Sequence, residues 1–424
     1  MVLELINTGT ELMLGRVLNT HPQWLCRQLT DQGYTVARQV AVPDTAPAIQ
    51  QAVREALARA DWVITTGGLG PTSDDLTRTL IAQLLDRKLR EDAAVLARLK
   101  EFFAQRQRPL PPSTAVQALV PEGAIVLPNR HGTAPGLVLK VHPNPFRSDG
   151  RLSWLVMLPG PPRELRPMFA DQILTLLMRR SPLDAPFVCR TLRTVGVGES
   201  EVEEKIAGPL RPFTDAGLEL GYCAHPREVD IRLAARGTDA AERVRAAEAV
   251  VVQLLGDHVF GRDDEELEAV VVRLLTEQRK TLALAESCTG GRIADRLTNV
   301  PGASAVLLNG WVSYSNESKQ RLLGVRPETL AAHGAVSEPV AREMAEGARA
   351  LGGADYALAV TGIAGPSGGT EAKPVGMVFI ACASAGQTVV LNLFNPWDRE
   401  TFKQVTSQQA LQFLRRTALS SPCQ

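Results

Sequence analysis

The run Asp61-Trp62-Val63-Ile64-Thr65-Thr66, followed at once by Gly67-Gly68-Leu69-Gly70-Pro71, decides the fold of this chain. Its apolar centre reads as a buried strand, and the glycines turn it where the backbone can approach a ligand closely. Working outward, Leu3-Glu4-Leu5-Ile6 reads as a strand and residues 21–33 as a helix through Trp24, Leu25 and Leu29. Residues 36–42 are strand-like, and residues 46–60 carry Ile49, Val53 and Leu57 at helical intervals. Strand, helix, strand, helix, strand predicts an α/β sandwich on a mainly parallel sheet. Ligands in such folds sit beyond the carboxyl ends of the strands, which is where Gly67–Pro71 falls.

A second corner of the same kind lies far downstream. Thr281-Leu282-Ala283-Leu284-Ala285 runs into Glu286-Ser287-Cys288-Thr289-Gly290-Gly291. This predicts a buried strand ending in a hydroxyl, with a helix beginning near Thr289. Backbone N–H groups point outward at such a helix start, and the helix dipole favours negative charge. Tyr314 and Lys319 follow in Tyr314-Ser315-Asn316-Glu317-Ser318-Lys319, and Thr361-Gly362-Ile363-Ala364-Gly365-Pro366 offers another glycine-rich corner. Serine, lysine and tyrosine can carry acyl transfer without histidine, because a desolvated or tyrosine-paired lysine can serve as the base. The plainer alternative is that Ser287 only caps the helix.

Composition narrows the function class. Lys+Arg and Asp+Glu are both 46 in 424 residues, so there is no basic excess of the kind a general nucleic-acid binder carries. Hydrophobic residues make up 45% and charged residues 22%, the balance of a globular chain of two or three domains. The six cysteines and six histidines fall at no zinc-ligand spacing. Free thiols, no basic-then-apolar leader and no apolar run of membrane-spanning length together predict a cytoplasmic protein.

Along the chain, residues 141–151 read as a surface loop between two strands, residues 180–186 as a linker, and residues 256–264 as a second linker. The expected domains are 1–180, 186–256 and 262–424. The middle one is a small α+β unit with strands near 191–195 and 228–234 and helices over 199–206 and 241–255. Strands near 281–285, 305–312, 355–360 and 375–382 make the last domain α/β again, able to fold and act from about Phe260 onward.

The segments around Ser287, Tyr314–Lys319, His333-Gly334-Ala335-Val336-Ser337 and Thr361–Pro366 resemble the C-terminal domain of the CinA family, the nicotinamide mononucleotide (NMN) deamidases. The resemblance spans about 265–420. It implies Ser287 as nucleophile, Lys319 with Tyr314 beside it as base, and backbone donors over Thr289, Gly290 and Gly291 for the oxyanion. It also implies that Thr361 and Gly362 line the nucleotide pocket, and Arg399 could grip the phosphate through its guanidinium. No cofactor is implied for this domain.

Residues 1 to about 170 resemble the molybdopterin-binding fold through Thr8-Gly9-Thr10-Glu11-Leu12, the run from Thr65 to Thr77, and Pro159–Glu164. Asp74 stands where true molybdopterin binders have arginine, and Asp75 keeps their aspartate. The departure matches the CinA branch whose N-terminal domain resembles an ADP-ribose pyrophosphatase. That implies Thr8, Gly67, Gly68 and Gly70 around a phosphate, with Asp44, Asp74 and Asp75 holding a divalent metal (Mg, Mn or Co). A helix cap at Asp74 or Asp75, and a turn role for Asp44, are the alternatives. CinA-type proteins carry a KH-like module in the middle, yet Glu199, Glu201, Glu203 and Glu204 crowd the Gly196-Val197-Gly198 turn and would repel phosphate. The middle module is therefore expected as a spacer or dimer contact and not a nucleic-acid binder, and the resemblance implies NMN and ADP-ribose as partners, in a homodimer with no membrane. The rival readings are a molybdopterin-binding protein and a DNA-associated competence or damage factor.

Overall fold

The computed structural model describes residues 1–420, which form two compact units, Met1–Val188 and the remainder from Cys189. The first unit is built on β1 (Leu3–Thr8), β2 (Val36–Val42) and β3 (Trp62–Thr66). A separate two-stranded pair follows, β4 (Leu89–Glu91) with β5 (Leu119–Pro121), and then β6 (Ile125–Leu127), β7 (Gly136–Val141) and β8 (Ser153–Leu158). The sheet order is β2-β1-β3-β8-β7-β6. Its first four strands are parallel and only β7 runs against the rest, so the sheet is mainly parallel near the glycine turn, as the sequence predicts.

Side-chain alternation along the strands sorts the core into two layers. Leu3, Leu5, Trp62 and Ile64 meet Leu165 and Phe169 on one face. Ile6, Val63 and Leu155 meet Ile49 and Val53 on the other. The predicted loop at 141–151 is present but anchored. Asn144 Nδ2 donates to Leu57 O at 2.9 Å, and Arg147 Nη1 to Asp61 at 3.0 Å.

In the second unit, β9 (Phe187–Val195), β10 (Leu218–His225), β11 (Glu228–Arg236) and β12 (Val259–Arg262) form one sheet in the order β10-β11-β9-β12. Helices Glu199–Asp215 and Ala240–Leu255 accompany it. Two expectations change here. The helix from Glu199 runs nine residues past 206, through Pro209 and Pro212. Residues 256–264 are not a polar linker, because β12 pairs antiparallel with β9 and buries Phe260. Phe260 and Val195 share one apolar cluster with Leu267, Val271 and Leu284, so packing crosses the segment that composition marks as a linker.

The last sheet contains β13 (Leu282–Glu286), β14 (Leu307–Val312), β15 (Tyr356–Gly362), β16 (Met377–Ala383) and β17 (Thr388–Phe394), in the order β14-β13-β15-β16-β17. Four of these lie within two residues of their predicted places. The fifth, β17, is an edge strand with half-exposed alternation and carries no strong apolar signal. Among the described residues, no helix is long and apolar enough to cross a membrane.

Candidate active sites

Ser287 stands at the end of β13, between the parallel neighbours β14 and β15, and its N–H extends the ladder to Val360 O at 3.0 Å. The chain then turns through Gly290 and Gly291, at φ 64° and 93°, where a side chain would be strained. The helix starts at Arg292, not near Thr289. Its first amides are taken by Glu286. That carboxylate, 1% exposed, accepts from Gly291 N at 3.0 Å, Ile293 N at 3.1 Å and Ala294 N at 2.9 Å. Ser287 is therefore not the cap, and the helix dipole is already answered by a buried negative charge.

The amide cradle shifts for the same reason. Gly290 N–H donates to Ser287 O, and Gly291 N–H to Glu286. Within residues 287–291, the amides left without an oxygen acceptor are those of Cys288 and Thr289, and both lie against the Cys288 sulfur. The Thr289 hydroxyl is fully buried and unpartnered.

Lys319 lies on helix Asn316–Leu323, capped by Ser315, and its ammonium end points inward. The residue is 1% exposed. Its Nζ lies 3.0 Å from Ser287 Oγ, 2.8 Å from Ser313 O and 3.4 Å from Tyr314 O. Burial lowers its pKa below the ordinary lysine value. Ser313 N–H is itself tied back to Glu286 O at 2.8 Å, so strand end, serine hydroxyl and amine form one rack. The neighbouring Cys288 thiol is pushed up to about 12 by burial, which leaves the hydroxyl as the reactive group of the loop.

Tyr314 enters this rack through its carbonyl, which differs from the expected pairing of phenol and amine. Its ring is 60% exposed, and its hydroxyl accepts from Arg399 Nη2 at 2.7 Å. Arg399 also donates to Gly365 O at 2.9 Å, so both its partners are neutral oxygens. Thr361 is buried with its hydroxyl donating to Ala335 O at 2.8 Å, so its side chain fixes the 333–337 loop and is not free for a ligand. Gly362 is needed for packing, since a Cβ there would lie 2.8 Å from Met377 O.

In the first unit, Thr8, Gly67, Gly68, Gly70, Asp44, Asp74 and Asp75 all line one cavity of about 360 Å³. Gly67 and Gly68 turn at φ 95° and 67°, and a Cβ on Gly67 would lie 2.6 Å from Thr8 O. The amides of Gly68, Leu69 and Gly70 donate to no protein acceptor among the described residues, an anion-receptive edge.

The three aspartates do not converge. Asp44 accepts from Thr10 N at 2.8 Å, and Asp75 accepts from the amide of Thr72 at 2.9 Å and from its hydroxyl. Asp74 stays exposed at the rim, held below the usual carboxylate range chiefly by a hydrogen bond from Thr72. Neither Asp74 nor Asp75 caps the following helix, whose N-cap is Leu76. Among the described residues, no three His, Cys, Asp or Glu side chains are gathered for a metal ion. The donor set fits a hard cation carried in on a diphosphate, bound through one or two carboxylates and water, and not a preformed cage.

Two residues of this cavity's surroundings escape sequence reasoning. Glu164 lines it, buried, and accepts from Asn129 Nδ2 at 2.7 Å. Arg78 is buried nearby, with an unpartnered Nε and the Asp75 charge acting on it. In the sequence, Glu164 reads as an ordinary acidic residue of a first helical turn, and Arg78 as a solvated helix residue.

Three family models match the chain in order: the probable molybdopterin binding domain over residues 4–179, the damage-inducible protein CinA KH domain over 189–261, and the CinA C-terminal domain over 264–418. A CinA-like protein from Akkermansia muciniphila is 45% identical over 96% of this chain and 95% of its own length. The chain belongs to the CinA family. A putative competence-damage inducible protein from Symbiobacterium thermophilum is 44% identical over 99% of both chains. The solved structure of the competence damage-inducible protein A from Klebsiella pneumoniae is 40% identical, covers 37% of this chain and 97% of its own, and has a TM-score of 0.36. This CinA-family chain thus carries a molybdopterin-binding-like domain, a KH domain and a CinA C-terminal domain in that order.

Proposed function

We propose that this protein is a two-activity hydrolase of pyridine nucleotides, deamidating NMN through Ser287 and Lys319 and splitting ADP-ribose in the glycine-turn cavity. One observation carries the reading: a buried lysine amine stands 3.0 Å from a strand-end serine hydroxyl. As a neutral amine, Lys319 gives its two hydrogens to Ser313 O and Tyr314 O, which turns its lone pair toward Ser287 Oγ. Ser287 Oγ attacks the carboxamide carbon of NMN while Lys319 takes its proton. The amides of Cys288 and Thr289 receive the oxyanion, a contribution of roughly 3 kcal/mol per donor. Lys319 passes the proton to the leaving ammonia, and water then releases nicotinic acid mononucleotide from Ser287. Arg399, whose hydrogen-bond partners are neutral, serves the substrate phosphate.

In the first unit, the open amides of Gly68 to Gly70 hold the diphosphate of ADP-ribose, and Asp74 and Asp75 face it. A divalent ion, when bound there, neutralises the diphosphate and provides an activated water for cleavage to AMP and ribose 5-phosphate. Incubation with NMN, and separately with ADP-ribose plus Mg, Mn or Co, followed by chromatography of the products, tests both halves. Ammonia-free NMN samples would remove the first activity, and intact ADP-ribose the second.

A further inference from the structure

Two loops meet beside the end of β15, and one lysine joins them. The first holds the exposed residues 366–372 and is closed at both ends. At its base Gly376 N–H donates to Ile363 O at 2.8 Å, and at its tip Thr370 N–H donates to Lys373 O at 2.9 Å. Lys373 then reaches across to the 333–337 loop, where its Nζ donates to His333 O and, at 2.7 Å, to Val336 O. Among the described residues the ammonium makes no ion pair, so carbonyls are its partners. His333 ends the helix Pro327–His333, and a cation is favoured at such a carboxyl end.

This joint completes a set. Ser337 Oγ donates to Gly334 O at 2.8 Å and Thr361 Oγ1 to Ala335 O at 2.8 Å, so every carbonyl from His333 to Val336 is held. The amides of Ala335, Val336 and Ser337, by contrast, donate to no protein acceptor among the described residues. Successive open amides on a backbone fixed by its carbonyls suit an oxygen-rich ligand. The place is close to Ser287, because Thr361 follows Val360, whose carbonyl accepts from Ser287 N–H. Of the three donors, Ser337 belongs to the loop and Thr361 to a central strand, whereas Lys373 comes from the exposed excursion.

We infer that Lys373 is a positioning residue of the deamidase: its ammonium latches the 333–337 loop in the shape that receives the nucleotide. The inference rests on the NMN reading of the Ser287 site. Ser287 and Lys319 are held by Val360, Ser313 and Tyr314, and Lys373 bonds to none of these. Losing the latch therefore acts on affinity and not on the proton transfer, because an unlatched loop must be ordered each time the ligand binds.

The test compares the full-length wild type with Lys373→Met and Lys373→Arg. It reads amide hydrogen exchange over 333–337 and calorimetric binding of nicotinic acid mononucleotide, the proposed product. Lys373→Met should speed exchange of the 333–337 amides by about tenfold or more. It should weaken nucleotide binding and raise KM for NMN by about tenfold, with kcat within about threefold of the wild type. Lys373→Arg, which still offers N–H donors to both carbonyls, should return exchange and affinity toward the wild type. A folded Lys373→Met with unchanged exchange or unchanged nucleotide affinity would overturn the latch, and so would a loss confined to kcat. If nucleotide binding depends on Lys373 in this way and the wild type releases no ammonia from NMN, the latch stands and the deamidase reading falls.

Discussion

The turns after β3 and after β13 are alike in backbone and opposite in readiness. Each ends a buried parallel strand with a pair of glycines at positive φ, Gly67 and Gly68 in one, Gly290 and Gly291 in the other. Each also leaves two or three amides open beside a hydroxyl. After β13, however, the protein supplies its own partners: Glu286 closes the helix start, and buried Lys319 meets Ser287. After β3 the carboxylates sit at the edge of an open cavity, Asp44 tied to Thr10 and Asp75 to its own turn at Thr72. The same corner is therefore closed around its own side chains in one unit and left open to a cavity in the other. What differs is whether a buried long side chain bonds directly to the corner's hydroxyl, as Lys319 does to Ser287 and Arg78 does not to Thr8.

The largest expected effect breaks the closed corner. Ser287→Ala and Lys319→Met should each reduce ammonia release from NMN by roughly 10³-fold or more, and the double variant should be scarcely worse, because the pair acts as a unit. Additive losses would mean that the two do not work on one proton. Since burial lowers the Lys319 pKa, wild-type kcat/KM should rise with pH as the amine loses its proton and level off below the ordinary lysine range.

Glu286→Gln should cut kcat about 10- to 100-fold with KM little changed, since the loop loses its stake while the nucleotide contacts remain. Its melting temperature should also fall, because glutamine keeps one oxygen for three amides and an amide left unpaired costs about 1–3 kcal/mol. A normal kcat in the folded variant would show that the glycine turn holds Ser287 unaided. A chelator should then separate the corners outright, stopping ADP-ribose cleavage and sparing deamidation. Equal sensitivity of both activities would erase the contrast.

A smaller effect concerns the boundary between the KH domain and the last domain. A fragment from Cys189 keeps β12 on β9 and should melt cooperatively. One from Phe260 lacks β9 and uncovers Phe260, Leu267 and Val271, so it should melt several degrees lower or bind a hydrophobic dye. Equal melting temperatures would restore a true linker at 256–264.

The smallest effect is a pH dependence at the same seam. Burial pushes Glu228 up to about 7, against the pull of Arg193 and Arg296. The folded state thus holds this proton more tightly than the unfolded chain does. Its stabilisation is complete below about pH 4.5 and is lost as pH rises through about 7. The wild type should lose melting temperature relative to Glu228→Gln across that interval. A constant difference would mean that Glu228 stays ionised in its ion pairs.

Much of this was legible in the sequence where one interaction dominates. Runs such as 61–66 and 281–285 are apolar on both faces, which only a central strand satisfies, so the sheets and the two corners could be placed from periodicity. Strands β10, β12 and β17 were not legible, because a half-exposed edge such as Leu218–His225 mixes Leu, Glu, Gly and Cys without a decisive pattern. At the site, residue types were legible and their directions were not. Lysine is ordinarily solvated, and only tertiary packing puts Lys319 inside. Nothing in one dimension distinguishes the Tyr314 carbonyl from its ring as the contact, or identifies Glu286 as the group that answers the helix start.

Strand β12 sets an order on how this chain can be made. The KH sheet takes its edge strand from residues 259–262, synthesised after that domain's last helix and immediately before the first helix of the next domain. As the chain emerges from a ribosome at about 5–20 residues per second, β9 waits with an open edge until β12 arrives. The segment that closes it also delivers Phe260 to the apolar cluster of the Ser287 domain. The KH domain is thus completed by its own last strand, which at the same time covers the core of its successor, and neither can be the last to fold without holding the other open.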